Sequence, residues 1–281
     1  MAGGIRIGFS MHPRWAGADE LEAFIAPLRR FGLSSLEFEL DDQQEDWPAF
    51  KQLMQATFQI GLGLSFHAPY RLPHHLAGFT GRERQRIQAD YRPLLGIAET
   101  WAQKSLECRT LVVHAAVART PASREALTTD TLAFLVWVLE EFPDLQLALE
   151  NNHPARPEEV KVGVEPEDVL SMLAALDNAR LGVCWDLGHD YLRDKTTVPT
   201  REWLSRVVHV HVHDVDECGE DHFPLIFGRV PYQQWLGAWK ALTGGGGVVL
   251  ELKGNHLRDW SQVQITDALE TSISHIKEAL V

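Results

Sequence analysis

Histidines and carboxylates recur at the ends of apolar, strand-like runs: His67, His114, Glu150, Asp186, His189, His211 and Glu251. Runs rich in Val, Leu and Ile normally exclude such groups, because a desolvated charge costs several kcal/mol unless it is paired or bound to a metal. A shared metal site is the simplest account. Mixed oxygen and nitrogen donors suit Mn, Mg, Co or Zn and disfavour thiolate-seeking ions. In Val207 to Asp214, alternation places His209, His211 and His213 on one side and valines on the other. Asp186 closes another run, with His189 on the turn beyond it, while Cys184 reads as packing.

Elements must bring these residues together. Eight runs have strand character: Ile5 to Ser10, Ser35 to Leu40, Leu62 to His67, Thr110 to Ala115, Leu145 to Asn151, Arg180 to Asp186, Val207 to Asp214 and Val248 to Lys253. Helical periodicity lies between them. It is clear in Ala18 to Phe31, where Leu21, Phe24, Ile25 and Leu28 share a face, and in Arg82 to Ala102, Arg124 to Glu141, Pro166 to Ala175, Tyr232 to Leu242 and Ser261 to Leu280. Such alternation predicts parallel strands joined by right-handed crossovers and closed into a (β/α)8 TIM barrel, one domain over residues 1–281. An open doubly wound sheet fits less well, because Ser10-Met11-His12-Pro13-Arg14 follows the first strand where G-x-G-x-x-G would be needed. The Gly244 to Gly247 run precedes a strand and reads as a flexible connector rather than a phosphate loop. The loop Tyr70 to Gly81, with His74, His75 and Phe79, is either a lid or a solvated connector. Strand ends of such a barrel line one mouth, so His67, His114, Glu150, Asp186, His211 and Glu251 are expected to share a rim.

Bulk properties narrow the function further. Hydrophobic content of 45% and 23% charged residues are ordinary for a globular chain. Twenty-six Lys and Arg against 39 Asp and Glu leave a balance of −13, which repels phosphodiester backbones and makes a nucleic-acid partner unlikely. Cys108, Cys184 and Cys218 are odd in number and lack CxxC spacing, so they predict neither a disulfide framework nor a zinc ribbon. The start MAGGIRIGFSMHP has no signal-peptide pattern, and no run is long enough for a membrane span; the expectation is a cytoplasmic protein.

Seven short motifs in this order resemble the xylose-isomerase-like barrel superfamily, which contains ketose 3-epimerases, inosose dehydratases, hydroxypyruvate-type isomerases and the endonuclease IV nucleases. They are F-H-A-P at 66 to 69, A-L-E-N at 148 to 151, W-D-L-G-H at 185 to 189, H-V-H-D at 211 to 214, E-D-H-F-P at 220 to 224, G-R-V-P-Y at 228 to 232 and L-E-L-K at 250 to 253. The resemblance implies that Glu150, Asp186, His211 and Glu251 are the four ligands of a divalent metal ion and that His189 contacts substrate or a further metal. His67, His114, Glu220 and His222 resemble the additional ligands of the multinuclear zinc site in the nuclease branch, although Glu220 stands where that branch has Asp. Another departure is Ile226-Phe227-Gly228 in place of Gly-x-Gly, and Asp216-Glu217-Cys218 stands where the ketose epimerases carry an Arg. Family habit also implies a homo-oligomer.

These residues lead to a metal-dependent isomerase or epimerase acting on a small sugar, polyol or hydroxy-carbonyl substrate through a metal-stabilised enediolate. By the resemblance, Glu150 and Glu251 are its acid/base pair. Lys253, inward with Glu251 by alternation, either holds a substrate oxygen or pairs with Glu37 or Glu39. The alternative is a multinuclear zinc phosphoesterase or endonuclease IV-like hydrolase, favoured by the extra histidines and opposed by the charge balance. A metal- or sugar-binding module without activity is the third reading.

Overall fold

The computed structural model of the chain describes residues 4–40, 47–70, 75–119, 121–194 and 198–281. Strands β1 (Ile5–Ser10), β2 (Leu33–Glu39), β3 (Gly63–His67), β4 (Thr110–His114), β6 (Gln146–Glu150), β8 (Leu181–Asp186), β9 (Val207–Val212) and β10 (Gly246–Leu250) form a closed barrel in the order β1-β10-β9-β8-β6-β4-β3-β2. Helices α1 (Leu21–Arg29), α2 (Trp47–Gln59), α3 (Arg84–Ala102), α4 (Arg124–Glu141), α5 (Pro166–Leu176), α6 (Leu187–Arg193), α7 (Arg201–Arg206), α8 (Tyr232–Lys240) and α9 (Gln262–Ala279) alternate with them. The expected (β/α)8 TIM barrel is therefore the observed fold. Short strands β5 (Val117–Arg119) and β7 (Glu159–Lys161) pair antiparallel as a separate ribbon that strand periodicity does not announce. Among the described residues, no helix is long and apolar enough to cross a membrane.

Local sequence explains the elements. On α1, Leu21, Phe24, Ile25 and Leu28 are buried at helical spacing. Pro166 occupies the first turn of α5, where its missing N–H costs no hydrogen bond. Ser261 and Gln264 cap α9 reciprocally. The glycine run departs from its reading as a connector, because Gly246 and Gly247 belong to β10.

Two compact units make up the chain: Met1–Phe38, Gln43–Leu64 and Asp186–Val281 in the first, Glu39–Asp42 and Ser65–Trp185 in the second. In the first, Trp203, Trp235 and Trp239 are fully buried behind the strands. In the second, Phe79, Tyr91 and Phe134 form edge-on aromatic contacts, with ring centroids 5.5 and 4.9 Å from Phe134. Phe79 is thus core rather than part of a solvated loop. Asp130 of α4 fastens its neighbours, accepting hydrogen bonds from the Gly78 and Thr80 N–H groups at 2.6 and 2.8 Å and from the Thr80 hydroxyl at 2.6 Å. His74 lies outside the described residues.

Candidate metal centre

In the second unit, Glu150 ends β6 fully buried, and parallel register sets His114 of β4 beside it. Glu150 Oε2 lies 2.9 Å from His114 Nε2 and 3.2 Å from His67 Nε2, and the two ring nitrogens are 3.2 Å apart. The far edge of each ring locates its proton. His67 Nδ1 is 2.8 Å from the Ala68 carbonyl, and His114 Nδ1 is 2.7 Å from Asn152 Oδ1. The Asn152 amide nitrogen donates to the Val162 carbonyl at 2.7 Å, which turns its oxygen toward His114. Both partners accept, so both rings donate from Nδ1 and aim an Nε2 lone pair at Glu150. Three electron-pair donors then converge in a buried place, an arrangement that calls for a cation or an added proton. Ligands about 2.1 Å from a divalent ion stand roughly 3.0 to 3.4 Å apart at octahedral to tetrahedral angles, close to the spacing found here.

In the first unit, β9 buries His209 and His211, and His213 lies buried one residue beyond its end, as alternation requires. Beyond β10, Glu251 Oε2 lies 3.2 Å from His211 Nδ1 and 3.1 Å from His222 Nε2. That oxygen is buried and accepts no aligned hydrogen bond, although both ring nitrogens lie within 3.2 Å of it. A divalent cation fits such a donor set. His222 has a left-handed backbone, φ 63°, uncommon outside glycine, and its Nδ1 lies 2.9 Å from Asp221 Oδ1. Asp221 also holds the Lys253 ammonium.

Asp186 ends β8 and caps α6, accepting the His189 N–H at 2.8 Å, which locks His189 one turn above it. His189 Nδ1 is 3.5 Å from Asp186 Oδ2. His213 joins this group with its Nε2 3.0 Å from Asp186 Oδ1, and its Nδ1 accepts the His222 N–H at 2.9 Å. Accepting at Nδ1 places the ring proton on Nε2, directed at Asp186, so both nitrogens of His213 are engaged and the ring orients the carboxylate instead of offering a ligand. Gly188 makes this possible: a Cβ there would sit 1.9 Å from His213 Cε1.

Electrostatics follow the same contacts. Burial would raise the Glu251 carboxyl, but the His211 and His222 rings hold it well below the usual range. Burial would depress His222, yet the carboxylates of Glu251 and Asp221 lift it to about 10. Asp221, despite burial, is held low by His222 and Lys253. Because the folded value of His222 exceeds its ordinary 6.5, its contribution to stability is complete below that pH and is lost as pH rises through about 10. Chelator-treated protein should therefore lose melting temperature between about pH 6.5 and 10, and a divalent ion standing in the proton's place should suppress the loss. Melting curves with and without chelator check this; a flat profile in chelated protein would contradict it.

The predicted site residues divide as follows. Glu150, His67 and His114 meet in the second unit; His211, Glu251, His222 and Lys253, with Asp186 and His189, lie in the first. Glu220 is exposed and joins neither cluster, and its neighbour Asp221 supplies the buried carboxylate. The reason is local: Asp214 and Phe223 form an antiparallel bridge that turns Asp221 and His222 inward and leaves 217–220 at the surface. Lys253 pairs with Asp221, not with Glu37 or Glu39. Three residues were missed: Asp221, His213 and Glu37. Inward alternation was a signal for His213, and the buried position of an acid in an apolar strand was one for Glu37.

The chain before β10 also departs from expectation in how it closes. Asp214, fully buried, accepts from Phe227 and Gly228 N–H at 2.7 and 2.6 Å through Oδ2, and from Val215, Arg229 and Val230 at 3.0, 3.1 and 3.3 Å through Oδ1. One carboxylate thus shapes the segment that Gly-x-Gly would otherwise shape.

Comparison with known proteins agrees with the fold. Over 136 residues the chain is 24% identical to an uncharacterized protein of Methanocaldococcus jannaschii, a match spanning 46% of this chain and 43% of that one, less than half of either. Solved structures similar to it include a D-psicose 3-epimerase from Clostridium cellulolyticum H10 (13% identity, TM-score 0.67, 98% of both chains) and a D-allulose 3-epimerase from Methylomonas sp. (15%, 0.66, 99% and 98%). A probable 3-DHS dehydratase from Bacillus anthracis is similar at 12% identity and TM-score 0.57, over 96% of this chain and 97% of that one. At these identities the likeness is one of fold. The sequence profile described as xylose isomerase-like TIM barrel matches residues 16–279, nearly the whole chain, and the protein belongs to that family.

Proposed function

We propose that the protein is a divalent-metal-dependent isomerase or epimerase of a small sugar, polyol or hydroxy-carbonyl compound, acting as one domain. The observation that carries this reading is the Glu251 carboxylate, whose buried Oε2 lies 3.2 Å from His211 Nδ1 and 3.1 Å from His222 Nε2. Solved 3-epimerases on the same fold support it. In the first unit the ligands we assign are Asp186, His211 and Glu251, each at the C-terminal end of a barrel strand or just beyond it. When bound, a divalent ion would polarise a substrate carbonyl and its neighbouring hydroxyl, so that the proton on the carbon between them becomes acidic. Glu251 would take and return that proton, as a carboxylate held in place by His211 and His222. Lys253, positioned by Asp221 and about one-third exposed, would hold a substrate oxygen, and His189 would face substrate.

The test is exchange of substrate C–H protons with deuterated water across a panel of ketoses and inositol derivatives, with metal content measured in parallel. Exchange that vanishes with chelator and returns with Mn or Mg, at about one ion per chain, is the expected result. Exchange with none of the panel, alongside two or three zinc ions per chain, would replace this reading.

The convergence of His67, His114 and Glu150 favours a second reading, a multinuclear zinc phosphoesterase. With a formal charge of −13, a small phosphorylated substrate suits it better than duplex nucleic acid. Zinc-dependent cleavage of a small phosphodiester would establish it.

A further inference from the structure

Glu37 is a carboxylate buried on β2, between Leu36 and Phe38, and at 2% exposure it has no contact with bulk water to stabilise its charge. Its strand pairing sets it opposite Ser10, at the C-terminal end of β1. Its two oxygens divide between two histidines of β9: Oε2 receives a hydrogen bond from His209 Nε2 at 2.9 Å, and Oε1 lies 2.8 Å from His211 Nε2. His209 is as deliberately housed. A Cβ on Gly247 would lie 2.5 Å from His209 Nδ1, so β10 gives up a side chain where that ring lies. Removing one member of a buried ion pair is costly, whereas an apolar replacement of the whole set is often neutral or stabilising. Stability therefore does not explain a Glu-His-His group inside the barrel.

Resting on the metal reading above, we propose that Glu37 is a positioning residue that holds His211 through Nε2, with His209 pinning the carboxylate from its other side. A nitrogen and an oxygen 2.8 Å apart need a proton or a cation between them, and the role proposed for Glu37 requires a proton on His211 Nε2. The opposite nitrogen, Nδ1, is then the one offered toward Glu251 and the cation. A carboxylate on the far nitrogen of a ligating imidazole fixes its tautomer and ring plane and raises its basicity, and loss of such a partner typically weakens metal binding 10- to 100-fold. Glu37 would thus set which nitrogen binds and how strongly, from a position where it touches neither substrate nor metal.

The experiment has two arms. Nitrogen-15 NMR of the wild-type imidazoles, in metal-free and zinc-loaded protein, should show His211 protonated at Nε2 in both states. Calorimetric titration of Glu37→Gln with Mn²⁺ or Zn²⁺ should show roughly 10- to 100-fold weaker binding in a protein with native-like circular dichroism. A bare Nε2 on His211 in the wild type, or wild-type affinity in folded Glu37→Gln, overturns the proposal. If Glu37→Gln does not fold, the wild-type spectrum still decides. If the wild type binds no divalent ion, the functional reading fails, while the protonation state of His211 in the metal-free protein still tests the role of Glu37.

Discussion

Glu251→Gln is expected to lower substrate C–H exchange by about 10²- to 10⁴-fold, the range that a positioned general base contributes, and to weaken divalent-ion binding as well. Glutamine keeps the size of the side chain but removes the anion that faces both His211 and His222. Two consequences separate this from simple misfolding. The His222 ring, lifted to about 10 chiefly against its own burial by the Glu251 and Asp221 carboxylates, should fall toward its ordinary value once Glu251 is neutral. NMR titration of the His222 ring protons measures that shift without any substrate. Metal affinity measured on the same sample should fall alongside it. Exchange at the wild-type rate in Glu251→Gln would remove this carboxylate from the chemistry altogether.

The second large effect concerns stability rather than chemistry. Asp214→Ala should destabilise the fold by about 3 kcal/mol, because an unsatisfied buried donor costs about 1–3 kcal/mol and the carboxylate receives five backbone N–H groups. Val215 and Val230 are buried, so their donors have no water to turn to, whereas Phe227, Gly228 and Arg229 are exposed and recover part of the loss. For a chain of this size the change corresponds to a fall in melting temperature of roughly 6–10 °C. Asp214→Asn is the sharper variant: its amide would point hydrogens at N–H groups that need an acceptor, so it should be no better than alanine despite its shape. Thermal denaturation of both variants tests this; an asparagine variant as stable as wild type would show that the segment is held by other contacts. Because Ile226 and Phe227 are exposed on the same segment, its loosening should also register as faster proteolysis there.

Much of the architecture was readable before any coordinates. Period-two alternation in Val207 to Val212 is a consequence of strand geometry, so the shared face of His209 and His211 followed from their spacing alone, and the one-per-strand placement of Glu150, Asp186 and His211 followed from the alternation of strands and helices. Helix α2 was not among the segments picked out, although Phe50, Leu53, Met54 and Thr57 are buried at helical spacing. Boundaries shifted as hydrogen bonding demanded: β10 ends at Leu250, leaving Glu251 and Lys253 on the segment beyond, where they meet the 221–222 turn.

Other features had no local signal. Glu220 and Asp221 are neighbouring acids in a segment without periodicity, and only the bridge between Asp214 and Phe223 and the left-handed turn at His222 decide which of them is buried. Which nitrogen of each imidazole carries a proton depends on whether an acceptor or a donor sits opposite it: Ala68 and Asn152 for the pair around Glu150, the His222 N–H for His213. Glu37 meets His209 across 172 residues of chain, a contact set by strand order within the barrel. Amino-acid order alone determined which donors this protein owns and the faces its strands present, because covalent geometry imposes those periods residue by residue. Their pairing, protonation and ionisation were decided only by the tertiary structure, because each depends on groups remote in sequence brought within a few ångströms where water no longer screens them.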